Sequence, residues 1–241
     1  MRPFAVALTF LTRAPIDVRE VRDAELGASL AWFPAVGLLL GATLCATAAL
    51  GRGHVSPSVL ALGLITLLAF VTGGLHLDGL ADVFDGLSGG RGDRQRTLEI
   101  MRDSRIGAHG AVAIAIALLA KVLMLVEVER TGMTWALIGF PVAARWSACT
   151  LVVCFPYARK EGLGRAFNGN ARFHHLVVAS AMTAVIVGCI GVRAIAPTLA
   201  ALFAALTLAF AMRRRLGGLT GDVYGAAIEL AELAFLLVAT Q

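Results

Sequence analysis

Three aspartates, Asp78, Asp82 and Asp85, stand at i, i+4 and i+7 in the stretch GGLHLDGLADVFDG. On a helix advancing about 100° per residue they fall within roughly a 60° arc of one face. Carboxylates held that close raise one another's pKa unless a cation neutralises them, and their hard oxygens suit Mg²⁺ or Mn²⁺ rather than zinc. The spacing therefore predicts a divalent metal site with these three as ligands. The plainer alternative is a solvated acidic helix face at a membrane edge. His76, two residues before Asp78, is a candidate proton acceptor or partner of the carboxylates, or else a satisfied interfacial histidine.

Arginines follow the acidic cluster: Arg94, Arg96, Arg102 and Arg105, the last two flanking Asp103 and Ser104, with Gly107 and Gly110 beyond. Guanidinium forks match phosphate oxygens, and glycines let backbone N–H groups approach them. An acidic metal cluster beside an arginine cluster is what transfer of a phosphate group requires. A salt-bridged basic loop is the competing explanation. A second basic loop around Arg159 and the turn holding Asp222 are further candidates for substrate binding.

The elements that must position these residues are set by composition. The chain has 241 residues, 58% of them apolar and only 15% charged, which points to a bilayer. The expected fold is an all-α, polytopic membrane helix bundle in a single domain, 1–241. Seven segments approach spanning length: 27–50, 55–73, 110–128, 133–154, 175–192, 194–212 and 223–240. About six to seven cross, because 175–212 reads either as two spans or as one re-entrant hairpin. Sixteen of the twenty-one Lys and Arg residues fall on one side if the N-terminus is cytoplasmic, as the positive-inside rule requires. The long polar connections 74–109, 155–174 and 213–222 then share that cytoplasmic face. Four cysteines at unpatterned spacings suggest neither a zinc site nor a disulfide framework, and no basic surface with groove-reading residues points to nucleic acid.

Four charges fall inside apolar segments: Lys121, Arg145, Glu229 and Glu232. An isolated charge in a membrane helix costs a few kcal/mol, so partners are expected. At ~1.5 Å per residue, Glu232, Arg145 and Lys121 reach similar depth, and pairing of Glu232 with Arg145 or Lys121 is predicted. These four are read as intramembrane support beneath the site.

The stretches GGLHLDGLADVFDG, LEIMRDSRIGAHG, YARKEGLG and GLTGDVYGAAIELAELAFLL together resemble the cobalamin synthase family of adenosylcobinamide-GDP ribazoletransferases, nearly end to end. The resemblance implies a multi-pass enzyme of the bacterial inner membrane with its active site facing the cytoplasm. It also implies a Mg²⁺-dependent reaction joining adenosylcobinamide-GDP to α-ribazole, or its 5′-phosphate, with release of GMP. Asp78, Asp82 and Asp85 would hold the metal on the diphosphate while Arg102 and Arg105 steady charge. Asp103 and Asp222 are second-tier candidates. A homo-oligomer, or association with other cobalamin-assembly enzymes, is compatible with the resemblance. Two other classes also fit clustered aspartates: a CDP-alcohol phosphotransferase, whose D-G-x-x-A-R spacing is broken here by Asp82 and Val83, and a cation-coupled transporter.

Overall fold

A computed structural model describes residues 2–241. In chain order it holds α1 (Arg2–Leu11), α2 (Asp23–Ser29), α3 (Phe33–Gly51), α4 (Pro57–Thr72), α5 (Leu75–Gly90), α6 (Arg94–Ile100) and α7 (Ala108–Thr131). Then come α8 (Thr134–Cys154), α9 (Leu163–Asn170), α10 (Phe173–Ile190), α11 (Ile195–Leu216) and α12 (Gly221–Ala239). The fold is all-helical. Among the described residues the extended pairing is limited to a single parallel bridge, Tyr157 to Leu219.

Five helical stretches are long and apolar enough to cross a bilayer: Asp23–Gly51, Ala108–Thr131, Thr134–Cys154, Phe173–Ile190 and Val192–Leu216. Their exposed faces carry apolar side chains such as Val112, Ile116, Leu119 and Leu123 on α7 and Leu199 and Phe203 on α11, as lipid contact demands. Helices α10 and α11 are each of spanning length, which favours two spans over one hairpin in 175–212.

Two of the seven expected segments need correction. The segment 55–73 becomes α4, which reaches spanning character only together with α5, and the two are bent by 88°. The bend sits at Gly73 and Gly74, both in the left-handed region at φ +67° and +71°, where a Cβ would be strained. Helix α5 therefore turns away from α4 instead of continuing it. The segment 223–240 becomes α12, which carries Asp222, Glu229 and Glu232 and falls outside the apolar set. Most of α12 is buried by protein, packed against α5, α8 and α11, so its charges meet side chains rather than lipid.

Glycines allow the closest approaches. A Cβ at Gly37 would lie 2.6 Å from the Pro141 carbonyl oxygen, and one at Gly41 2.6 Å from Ile138 Cα, so the G-x-x-x-G face of α3 packs directly on the backbone of α8. Helix α5 meets α12 in the same way, with a Cβ at Gly79 only 2.6 Å from the Asp222 carbonyl oxygen. That contact joins the helix carrying Asp78 to the turn holding Asp222.

Candidate active site

Asp78, Asp82 and Asp85 are all on α5, as the spacing predicted, but they do not form one convergent trio. Both oxygens of Asp85 accept backbone N–H bonds from the start of α7, Gly107 N at 2.7 Å and Gly110 N at 2.9 Å. Helix α7 has no side-chain cap of its own, so Asp85 satisfies donors that would otherwise be orphaned and sets a negative charge at the positive end of the helix. Both glycines leave room for that carboxylate. Among the described residues no three His, Cys, Asp or Glu side chains are gathered into a metal-holding group. Asp85 therefore caps α7, a role its spacing did not indicate.

Asp222 stands against α5 at Gly79, the residue after Asp78. Burial raises the Asp82 carboxyl first, and the charges of Asp222 and Asp78 push it further, to about 7. Asp222 itself accepts from Arg159 Nη2 at 2.7 Å and from Thr220 Oγ1 at 3.1 Å. The loop after α8 is held for this contact by the bridge to the segment before α12, where Ala158 N donates to Leu219 O at 2.8 Å and Leu219 N to Pro156 O at 2.8 Å. Three sequence segments about seventy residues apart are drawn together in this way.

A cavity of about 550 Å³ opens beside this group. Asp78, Asp222, Arg102, Arg159 and His76 line its polar part, and Phe10, Phe33, Phe167, Ala148 and Val152 its apolar part. The three phenylalanines, from α1, α3 and α9, form one aromatic cluster with ring centroids 4.5 to 6.3 Å apart. Three buried polar atoms on the lining residues have no protein partner: His76 Nε2, Arg159 Nε and Tyr224 Oη. Unsatisfied buried groups are costly, and a ligand is one means of satisfying them.

The remaining sequence candidates divide. Arg102 lines the cavity, whereas the exposed Arg105 pairs with Asp103 at 2.6 Å and holds that carboxyl down at about 2. Arg94 ties two segments together, its Nε donating to Leu216 O at 2.8 Å and its Nη2 to Ala158 O at 3.1 Å. Arg96 likewise donates to Gly89 O at 3.1 Å and, with Arg105 and Asp103, borders a separate shallow cavity. Ser104 is exposed on the loop. Beneath the site Glu232 pairs with both Lys121 and Arg145, as expected, and Lys121 Nζ also meets Glu229 at 2.7 Å, a pair that depth did not indicate. His76 lies between this quartet and the cavity, lining both.

Sequence reasoning missed Tyr157, Tyr224 and the three phenylalanines. A signal existed for the tyrosines: they are the chain's only two, and each stands two residues from a candidate charge, Arg159 or Asp222. Their rings lie 6.4 Å apart at the cavity.

Comparison with known proteins supplies the context for this geometry. The family profile described as cobalamin-5-phosphate synthase matches residues 3–240. The chain is similar to an adenosylcobinamide-GDP ribazoletransferase of Klebsiella pneumoniae (strain 342), 42% identical over 98% of both chains. Proteins with the same name from Stutzerimonas stutzeri (strain A1501) and Geotalea daltonii are also 42% identical, over 98% of this chain and 97% and 96% of theirs. No solved structure matches the chain.

Proposed function

The chain belongs to the cobalamin-5-phosphate synthase family, and from that premise we propose that it joins adenosylcobinamide-GDP to α-ribazole or α-ribazole 5′-phosphate and releases GMP. The ribose 3′-hydroxyl forms a bond to the phosphorus on the corrinoid's aminopropanol arm, and the bond between that phosphorus and GMP breaks. The observation that carries the residue assignment is that Asp78, Asp222 and Arg159, the last two hydrogen-bonded to each other, line one cavity together with residues bearing unpartnered polar atoms.

Asp78, Asp82 and Asp222 fit a magnesium ion by donor chemistry, since they are hard oxygens whose mutual repulsion a cation relieves. Mg²⁺ is usually held by one or two carboxylates, which Asp78 and Asp222 could supply, together with substrate phosphates. Asp78 and Asp222 would hold the ion, and it would neutralise the diphosphate and draw charge from the leaving GMP. Arg102 and Arg159 bind phosphate oxygens, Arg159 through the Nε that lacks a partner. Asp82, whose carboxyl is raised to about 7, accepts the proton of the attacking hydroxyl.

The multi-pass fold sits in the inner membrane with this site toward the cytoplasm, a reading supported by the clustering of Lys and Arg in the long loops. The decisive experiment incubates purified protein with both substrates and Mg²⁺ and detects the joined corrinoid by mass together with GMP. Absence of both products would overturn the reaction. A reporter fused after Val128 reads out on the outer side if the orientation holds, and a cytoplasmic signal would reverse it.

A further inference from the structure

The cavity has two unlike walls, and its size separates the two substrates. A corrinoid ring bearing amide arms, an axial adenosyl group and a nucleotide tail far exceeds about 550 Å³, whereas a single nucleoside fits. The aromatic wall is made by Phe10, Phe33 and Phe167, converging from three separate helices. Phe33 and Phe167 are almost fully buried against Phe10, the ring of the three that keeps exposed surface and can take a flat, apolar base. The phenylalanine, Ala148 and Val152 side chains offer no partner to the carbonyl and amino groups of guanine, which would have to turn to polar lining residues such as Glu161. Across the cavity, Tyr224 Oη and His76 Nε2 are buried without partners, on residues that line it next to Asp78 and Asp222.

Resting on the transfer reaction above, we infer that this cavity is the acceptor subsite: it encloses the ribazole, with the base on the phenylalanine cluster and the ribose hydroxyls at the Tyr224 and His76 end, while the corrinoid docks outside. The enclosed substrate is then the one whose hydroxyl must be fixed beside the aspartates, and the corrinoid presents only its diphosphate to them. Phe10, Phe33, Phe167 and Tyr224 become determinants of acceptor specificity rather than catalytic residues.

The test uses the full chain in lipid nanodiscs, with calorimetric binding of α-ribazole, α-ribazole 5′-phosphate and adenosylcobinamide-GDP measured separately, followed by steady-state kinetics. Phe167→Ala weakens binding of both ribazole forms about ten-fold or more and raises their KM, with kcat at saturation and corrinoid affinity held. Tyr224→Phe, which removes one unpartnered oxygen, weakens ribazole binding about two- to ten-fold and carries the test if Phe167→Ala does not fold. Unchanged ribazole affinity in the folded variants, or a loss of corrinoid affinity in its place, overturns the subsite. A wild-type protein that binds ribazole but makes no joined corrinoid would refute the reaction and leave the subsite standing, so the two failures are distinguishable.

Discussion

Substituting Gly79 by alanine isolates the contribution of one backbone contact to catalysis. The added Cβ would lie 2.6 Å from the Asp222 carbonyl oxygen and 3.2 Å from its Cα, at least 0.8 Å inside the 3.4 Å where ordinary contact begins on the oxygen side. Helices α5 and α12 must then part by most of an ångström, and Asp222 moves away from Asp78 and Asp82 by a similar amount. Overpacking of this kind costs about 1–3 kcal/mol, offset by about 0.5–1 kcal/mol because alanine is the better helix residue, so the net loss of stability is modest. Catalysis is more sensitive, since a displacement of about 1 Å in a positioned group can cost roughly a hundred-fold in rate. The assay compares GMP release and thermal unfolding in nanodiscs for Gly79→Ala against Gly63→Ala, whose Cβ meets nothing within 4 Å on an exposed face of α4. Gly63→Ala retains full kcat, while Gly79→Ala loses about a hundred-fold and unfolds a few degrees lower. A Gly79→Ala enzyme that is folded and turns over at the wild-type rate would refute the view that this approach sets the carboxylate geometry.

Asp85→Ala releases the start of α7 and lowers stability by about 0.5–2 kcal/mol, while the Mg²⁺ concentration giving half-maximal rate stays unchanged; Asp78→Asn raises that concentration, so a titration of rate against metal separates cap from ligand. Lys121→Met leaves Glu229 without its partner and Glu232 with Arg145 alone, a loss of about 3–5 kcal/mol measurable by thermal unfolding, and Lys121→Met with Glu229→Gln recovers much of it. The rate also depends on pH: Asp82 works as a carboxylate and its proton affinity is raised to about 7, so kcat/KM falls as pH drops through that value at low Mg²⁺. Saturating Mg²⁺ shifts the fall to lower pH because a nearby cation favours the charged form, and a profile insensitive to metal would contradict the assignment.

What could be read from the sequence follows the kinds of force involved. The helical face of Asp78 and Asp82 was legible because periodicity is local, and the pairing of Glu232 with Lys121 and Arg145 because buried charge demands a partner at similar depth. The role of Asp85 was hidden, since i+7 spacing specifies a face but not whether an amide from another helix waits there. Asp222 stood second-tier for the same reason: the bridge between Tyr157 and Leu219 that brings Arg159 to it is one rung of non-local pairing with no periodic trace. Apolar length alone did not register a break at two left-handed glycines, nor that the neighbours of α12 are mostly protein.

The interior quartet imposes an order on biogenesis. Helix α7 enters the bilayer with an unmatched cation at Lys121, and α8 with another at Arg145, while both answering carboxylates are on α12, which is translated later. Until α12 arrives, the half-made bundle carries two positive charges that hydrocarbon does not tolerate, and α12 alone is equally unwelcome there with two negative ones. Docking of α12 is therefore the event that makes the assembly electrically neutral, and it is the same event that carries Asp222 to α5.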